Sequence, residues 1–282
     1  PPPPPPPPQH TRLPSLRSLM SDHNLTHYII PSSDPHLSEY SSPSHRRREY
    51  FTGFTGSAGT CLVGMDGAWL WTDGRYWEQA SMELAVEAEV RLMKEGSPGV
   101  STIQAHLGGL KKADPDAFRV GLDPRLFSPS FVRGLEEECG SSSLHYDTSS
   151  LADEAWGSAR PADPDSAFRV HPMRHAGETT ASKLSKIRRQ MSDKGCSMAV
   201  FGMLDEVAYV LNARGSDVDC CPVCTAYLTV TEDEATLYTE AYKAADKEVK
   251  RHLDEAGVEV RPYEDVFEGV RSHAAAAAAA AA

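Results

Sequence analysis

Short apolar runs alternate with amphipathic stretches along the first half of the chain. Two of these runs, residues 60–64 and 68–72, are separated by Met65-Asp66-Gly67, and an Asp-Gly pair in that position is typical of a β-hairpin. Other apolar runs predict strands at residues 28–30, 90–93, 118–122 and 144–146. Because strands alternate with helical stretches, the pattern predicts an α/β layer structure.

Helices are predicted from the spacing of apolar residues and from capping residues. Ser101 is the predicted N-cap of a helix that ends at Leu110, and Ser128 followed by Pro129 is typical of the start of another, over residues 128–138. Further helices are predicted over residues 75–87, 180–194, 205–212 and 242–256.

The second half of the chain repeats the order of the first, with strands predicted at residues 198–201, 225–230, 235–238 and 258–260. A helix, a strand, a short helix, a Gly-Ser pair and a hairpin follow one another in both halves. We therefore predict two related α/β domains, each a mixed sheet flanked by helices. The second is predicted to be truncated, because nothing after Val260 corresponds to residues 101–146.

Homopolymer runs at the two ends carry no functional prediction. Residues 1–8 are all proline and favour a polyproline II helix, and residues 274–282 are all alanine and are interpreted as unassigned residues. The expected organisation is a proline-rich tail (1–10), a first domain (11–158), a linker (159–178), a partial second domain (179–273) and the alanine run (274–282).

Composition narrows the classes of function. The net charge of −12 disfavours nucleic acid as a partner, and Arg46-Arg47-Arg48, the one short basic cluster, is expected to be solvated or locally paired. No apolar stretch reaches the length of a membrane span. The six cysteines include Cys220, Cys221 and Cys224, but no second pair of ligands completes a zinc site, so we expect reduced cysteines and a cytoplasmic protein.

Few segments carry a recognisable chemical pattern. The glycine-rich residues 53–59 can either cradle an anion with backbone amides or form a tight turn in which backbone segments approach closely, and the lack of a lysine favours the turn. His23 and His27 are four residues apart, as are His171 and His175, but neither pair has a carboxylate at a spacing suited to a metal site.

Two loops present an arginine beside an aspartate. In residues 71–76 (Trp-Thr-Asp-Gly-Arg-Tyr), Asp73 is expected to cap a helix and Arg75 to lie on the surface. In residues 212–217 (Asn-Ala-Arg-Gly-Ser-Asp), Arg214 and Asp217 are both expected to be exposed. The arginines can bind a carboxylate or carbonyl of a peptide, or they can pair with the aspartates and brace the loops.

These loops, together with residues 28–32, 38–40, 53–60, 204–206 and 222–223, resemble the N-terminal part of Xaa-Pro aminopeptidases over residues 16–270. The resemblance implies two domains of the creatinase N-terminal type, followed by a third of the pita-bread fold. That third domain is expected to hold two manganese (or zinc) ions through two aspartates, a histidine and two glutamates, where a metal-bound hydroxide attacks the bond before proline.

The resemblance also implies roles for residues of this chain. Arg75 is expected to bind the peptide substrate, and Asp73, Tyr76, Arg214 and Asp217 to lie at the substrate entrance or a domain interface. No catalytic residue or metal ligand is assigned, so the chain alone is predicted to be inactive. Expected partners are proline-containing peptides, the catalytic C-terminal domain and a second copy in a homodimer.

An alternative remains open: a metal-free, aminopeptidase-like module that binds peptides or histones. The sequence downstream of Val270 would decide between the two, because only the enzyme requires the set of metal ligands there. Cys220 and Cys221 depart from the family pattern and leave the role of their loop undecided.

Overall fold

The structure, a computed structural model, describes residues 12–84 and 89–281. The chain divides into two compact units between Asp163 and Pro164, called unit 1 and unit 2 below. The predicted tail at residues 1–10 and the last part of the helix predicted over 75–87 lie outside the described residues. The predicted domain and linker bounds remain a prediction.

Unit 1 is built on a six-stranded mixed sheet. Its strands are β1 (His27–Pro31), β2 (Thr60–Gly64), β3 (Ala68–Thr72), β4 (Val90–Lys94), β5 (Val120–Leu122) and β6 (Leu144–Tyr146), in the order β4-β3-β2-β1-β5-β6. Strand β2 runs antiparallel to both β1 and β3, and the remaining neighbours are parallel. The predicted hairpin is confirmed, with Gly64 N donating to Gly67 O at 2.8 Å.

Helices cover both faces of this sheet. They are α1 (Arg12–Asp22), α2 (Arg47–Thr52), α3 (Trp77–Leu84), α4 (Ile103–Ala113), α5 (Pro129–Cys139) and α6 (Leu151–Trp156). Tyr28 and Ile30 belong to one hydrophobic cluster and Ile29 to another, as expected when successive side chains of a strand point to opposite faces. The first cluster includes residues of α1, α2 and α6, and the second includes residues of α4 and α5.

Capping residues locate the helix starts. Ser128 is the N-cap of α5, as predicted, and its hydroxyl accepts a hydrogen bond from Phe131 N at 3.3 Å. The prediction that Ser101 caps α4 is wrong by one residue. The side chain of Thr102 accepts from Ala105 N at 3.2 Å, so the helix begins at Ile103.

Unit 2 contains a four-stranded sheet and a separate two-stranded ladder. Its strands are β7 (Arg169–Val170), β8 (Met198–Phe201), β9 (Ala213–Arg214), β10 (Tyr227–Thr231), β11 (Ala235–Tyr238) and β12 (Val258–Arg261). The larger sheet has the order β12-β11-β10-β8, and β7 pairs with β9. The helices are α7 (Met173–Ala176), α8 (Thr180–Asp193), α9 (Leu204–Val210), α10 (Lys247–Glu255) and α11 (Val266–Ala281).

The two sheets share one pairing pattern. Strands β8, β10, β11 and β12 pair antiparallel, antiparallel and parallel, and β1, β2, β3 and β4 pair in the same way. This confirms the prediction of two related α/β units. Within residues 164–281, no strand corresponds to β5 or β6, because α11 follows β12. None of the helices among the described residues has the length and apolar character needed to cross a membrane.

The helix predicted over residues 242–256 is shorter than expected. Residues Ala241–Ala244 form a 3₁₀ turn, and α10 begins only at Lys247. Asp246 is the N-cap, accepting from Glu248 N at 2.8 Å and Val249 N at 3.3 Å. Lys243 lies in this 3₁₀ turn, is buried, and donates from its ammonium to the carbonyl oxygen of Pro164. This bond holds the turn apart from α10.

Stability of unit 1 is expected to fall as the pH drops from about 6.5 to about 4, since burial lowers the pKa of His27 to about 4, with a smaller contribution from His106. Over this range the unfolded chain binds a proton at residue 27 and the folded chain does not, so the free energy of unfolding decreases with falling pH. The expected loss is on the order of 1–3 kcal/mol. Urea titrations of the wild type and His27→Gln at pH 7 and pH 5 would measure it.

The free energy of unfolding should depend less on pH in His27→Gln than in the wild type. Some dependence should remain because burial also lowers the pKa of His45 to about 4. His23→Gln is the control at an exposed position just before β1. An undiminished pH slope in His27→Gln would contradict the assignment.

Candidate functional site

The turn between β3 and α3 presents an arginine held by a neighbouring carboxylate. Asp73 Oδ1 accepts from Arg75 N at 3.0 Å and from Arg75 Nε at 2.9 Å, and Asp73 Oδ2 accepts from Arg75 Nη2 at 2.9 Å. These bonds from the side chain and backbone of Arg75 lower the pKa of Asp73 to about 2. The side chain of Arg75 is nevertheless 70% exposed, so the predicted surface arginine and the predicted brace are both present.

The carboxylate of Asp73 is not a helix cap in the expected sense. It binds the backbone of Arg75 within the turn, while its main-chain oxygen accepts from Tyr76 N at 3.0 Å. The helix therefore begins two residues later than predicted, at Trp77.

Tyr76 joins this turn to the glycine-rich loop at residues 53–59. Its hydroxyl lies 2.6 Å from Ser57 Oγ, and its ring meets the ring of Phe54 edge-on, with centroids 6.1 Å apart. The guanidinium carbon of Arg75 lies 5.2 Å from the centroid of the Tyr76 ring. The exposed arginine is thus connected through Tyr76 to a second loop.

Glycine is required in that loop by close contacts. A Cβ atom on Gly56 would lie 2.3 Å from the ring of Phe54 and 2.8 Å from the ring of Tyr76. A Cβ on Gly59 would lie 3.0 Å from the carbonyl oxygen of Trp71. The expected close approach of backbone segments is present at Gly59, whereas the close contacts of Gly56 are with aromatic rings.

A buried arginine holds the same loop in place through hydrogen bonds to its main chain. Arg48 Nη1 donates to Phe54 O at 2.9 Å, Arg48 Nη2 donates to Gly56 O, and the guanidinium stacks 4.6 Å from the Phe54 ring. Burial lowers the pKa of Arg48 to about 10. Arg47 forms a bidentate pair with Asp153 at 2.7 and 2.6 Å, so these two residues of the basic cluster are locally engaged.

A cleft of about 310 Å³ adjoins the glycine-rich loop. Ser57 and Arg48 line it, and Glu39, Tyr40 and Arg46 form part of its wall. Tyr40 is 63% exposed, which gives the cleft an accessible aromatic surface. Because Ser57 also contacts Tyr76, the cleft and the turn that carries Arg75 are neighbouring parts of one surface of unit 1.

The second predicted loop differs from expectation, because Asp217 is buried. Its carboxylate accepts from Ser166 Oγ at 2.6 Å, Ser166 N at 3.0 Å and Thr225 N at 2.6 Å, and it forms an ion pair with Lys243. Burial alone would raise the pKa of Asp217, but the hydrogen bonds from Lys243, Ser166 and Thr225 outweigh it and lower the pKa. The expectation of an exposed Asp217 is wrong.

Arg214 is half-buried and bonds to main-chain oxygens instead of Asp217. Its Nη1 donates to Ala208 O at 2.7 Å and to Ala213 O at 2.9 Å. The expected full exposure of Arg214 is therefore also wrong. The partners of Asp217 were missed because Lys243 is 26 residues and Ser166 51 residues away in sequence, beyond any local pattern.

The cysteines near this loop are free thiols with different environments. Cys220 is exposed, with a backbone φ of 58°, and Cys221 is half-buried. Cys224 is buried, which raises the pKa of its thiol, and its Sγ donates to Ser166 O at 3.5 Å. Cys224 thus packs against the residue that also binds Asp217.

Metal-ligand geometry is not found in the part of the chain that the structure describes, where no three side chains of histidine, cysteine, aspartate or glutamate converge. The rings of His171 and His175 lie 5.9 Å apart, and Arg174 Nε donates to His175 Nε2 at 3.1 Å. The described residues therefore offer no set of ligands for a dinuclear metal centre.

Comparison with known proteins gives a consistent result for both units. Two creatinase/prolidase N-terminal domain families match, one over residues 12–155 and the other over residues 159–281. Aminopeptidase P2 of Arabidopsis thaliana is 42% identical over 269 residues, which cover 94% of this chain and 37% of that protein. A probable Xaa-Pro aminopeptidase P of Sordaria macrospora is 40% identical over 261 residues, covering 91% of this chain and 41% of the relative.

A solved structure has a similar fold. The X-prolyl aminopeptidase of Caenorhabditis elegans, described as a cytosolic enzyme with a dinuclear active site, superimposes with a TM-score of 0.87 at 28% identity. The match covers 97% of this chain and 45% of the nematode protein. The chain spans about two fifths of the length of the curated relatives it matches.

Replacing Asp217 with alanine is expected to destabilise the chain by about 3–5 kcal/mol, because the ammonium of Lys243, 2% exposed, would be buried without a carboxylate. Asp219→Ala, at an exposed position two residues away, should change stability by less than about 0.5 kcal/mol. Urea denaturation measures both. Adding Lys243→Met to Asp217→Ala should recover part of the loss, and a cost below about 1 kcal/mol for Asp217→Ala alone would refute the network.

Proposed function

Since this chain belongs to the creatinase/prolidase N-terminal domain family, we propose that it is the non-catalytic N-terminal part of an Xaa-Pro aminopeptidase. The identity of about 40% to proteins of that name over more than nine tenths of the chain supports this. The role proposed for the chain is to help position proline-containing peptides at the entrance of an active site carried by a C-terminal catalytic domain.

The proposed metal ions, two of manganese or zinc, belong to that other domain. The chain described here contributes no ligand in this proposal, and its part in the reaction is restricted to binding and orienting the peptide.

The observation that carries the proposal is the exposed, pre-positioned guanidinium of Arg75. A proline residue has no backbone N–H, so a proline-containing peptide offers carbonyl oxygens in excess of donors. An arginine presents donors only, and its position is fixed here by the two-point contact with Asp73. Arg75 can therefore donate to a peptide carbonyl or to the C-terminal carboxylate of a short substrate.

The neighbouring cleft provides room for the rest of the peptide. Its hydroxyls and the exposed ring of Tyr40 can accommodate an extended chain that leaves Arg75 past Tyr76 and Ser57. In this proposal Asp73 positions Arg75, and Tyr76 ties the turn to the cleft. Arg214 and Asp217 are proposed to shape the corresponding loop of unit 2 at the substrate entrance or a domain interface.

A cytoplasmic location and a homodimer are also proposed. The description of the nematode relative as a cytosolic enzyme and the free state of the six cysteines support the location. The homodimer is proposed from the family resemblance alone.

The chain by itself is expected not to hydrolyse X-Pro peptides. An assay with an Ala-Pro dipeptide and manganese chloride, run beside a full-length Xaa-Pro aminopeptidase as positive control, should give no release of alanine above buffer. Turnover by the purified 282-residue chain would contradict the assignment of catalysis to another domain.

Replacing Arg75 with alanine is expected to weaken binding of a proline-containing peptide by about tenfold while leaving the unfolding midpoint nearly unchanged, because the pair with Asp73 is exposed. Calorimetric titration of the chain with an Arg-Pro-Pro-Gly peptide measures the affinity. Unchanged affinity would leave Arg75 with a bracing role only.

Arg125 offers a matched control, since it pairs with Asp123 through the same three bonds at 3.0, 3.0 and 2.8 Å. Asp123 is 1% exposed, so Arg125→Ala should cost about 1–3 kcal/mol of stability. Its affinity for the peptide should equal that of the wild type.

A further inference from the structure

An electrostatic conflict lies in the small ladder formed by β7 and β9. The antiparallel register places Arg169 directly opposite Arg214. Like charges at directly opposed positions of an antiparallel pair destabilise the ladder. An anion near the two guanidinium groups would relieve this conflict.

A further cation, Lys183, interacts electrostatically with Arg214. Lys183 is buried and donates to Tyr209 O at 2.6 Å and Asn212 Oδ1 at 2.7 Å, both of which are uncharged. Glu178, an acidic neighbour of Lys183, is engaged by Lys186 at 2.8 Å and by Ser182 at 2.6 Å. In the part of unit 2 that the structure describes, Arg169, Lys183 and Arg214 therefore form no ion pair with a carboxylate.

Several other cations among the described residues of unit 2 are paired with carboxylates, unlike Arg169 and Arg214. The paired cations are Lys186, Lys243, Arg251, Arg261 and Arg271. Within residues 164–281, Arg169 and Arg214 bond instead to main-chain oxygens, and each does so through Nη1. Their remaining N–H groups are available to a ligand.

The positive charges near this ladder also affect the pKa of His171. This histidine follows β7 directly and lies in the lining of the adjoining cleft. Burial and then the positive charges of Arg214, His175, Lys183 and Arg169 lower the pKa of His171. The same positive charges would favour an anion bound beside this histidine.

A cleft of about 320 Å³ begins at the same histidine. Val170, Met173 and Ala256 supply apolar surface to its lining, and Met173 is 50% exposed. Glu255 is the one carboxylate of the lining, and its side chain is 71% exposed and 3.8 Å from Arg251. The combination of an apolar cleft and adjacent cations suits an organic anion better than a bare inorganic one.

We propose that unit 2 binds an organic carboxylate, with the apolar body in the cleft and the carboxylate facing Arg169, Arg214 and His171. The C-terminal carboxylate of a short peptide is the chemical class that fits. The forked donors of two arginines match the two oxygens of a carboxylate. This site shares Arg214 with the loop proposed above to lie at the substrate entrance or a domain interface, but it requires neither proline nor Arg75.

The test compares N-acetyl-leucyl-leucine with its C-terminal amide, using NMR of the histidine ring protons in the intact 282-residue chain. The free acid is expected to bind at least tenfold more tightly than the amide and to raise the pKa of His171. Inorganic phosphate, as a second probe, should bind more weakly than the acid. Equal binding of acid and amide, or of acid and phosphate, would overturn the proposal. Because neither probe contains proline, its failure is distinguishable from failure of the proposed function.

Variants provide a second, separate readout. Arg169→Gln should reduce the affinity for the acid by about tenfold while circular dichroism and the unfolding midpoint stay at wild-type values, since the substitution also removes the like-charge contact. Arg189→Gln, an equal loss of charge at an exposed position on α8, should bind as the wild type does. Wild-type affinity in Arg169→Gln, or a matching loss in Arg189→Gln, would overturn the assignment of Arg169. The comparison of acid and amide on the wild-type chain remains decisive if the variant does not fold.

Discussion

Tyr28, Ile29 and Ile30 of β1 are each 1% exposed, so the central strand of unit 1 has to be covered on both faces. This constraint produces the two helical layers, and it also buries the hydroxyl of Tyr28. A buried hydroxyl needs a partner, and Asp147 Oδ2 accepts from it at 2.7 Å. The other oxygen of Asp147 accepts from Ser149 N and Ser150 N, both at 3.0 Å, so the covering of β1 also fixes the start of α6.

Unit 2 uses the same arrangement of strands but a different anchor. Its loop between β9 and β10 is held by Asp217, whose carboxylate is bound to Ser166, Thr225 and Lys243. In both units a buried aspartate ties a polar loop to an apolar frame, and in both the hydrogen bonds, opposing the effect of burial, lower the pKa of the aspartate. The duplicated frame therefore supports loops of unrelated chemistry, which is where the two units differ in what they can bind.

Features that depend on residues close together in the sequence could be predicted, and features that depend on residues far apart in the sequence could not. The strand and hairpin bounds around Asp66-Gly67 depend on neighbouring residues and could be predicted, as could the cap at Ser128. The cap at Asp246 carried a local signal that the apolar periodicity of residues 242–256 obscured. Asp217 could not be predicted, because a polar loop sequence is typical of an exposed turn and its partners are distant in the chain. The opposition of Arg169 and Arg214 likewise arises only from strand pairing.

Bracing and recognition, treated as alternatives for an arginine beside an aspartate, are compatible in the case of Arg75. A guanidinium has five N–H donors, and Asp73 takes one on Nε and one on Nη2, leaving three that this pair does not use. The pair restricts the side chain before a ligand arrives, which reduces the entropy lost on binding. Arg125 forms the same pair but is 26% exposed beside a buried carboxylate. What separates a recognition group from a structural one here is exposure, since the pairing geometry of the two arginines is the same.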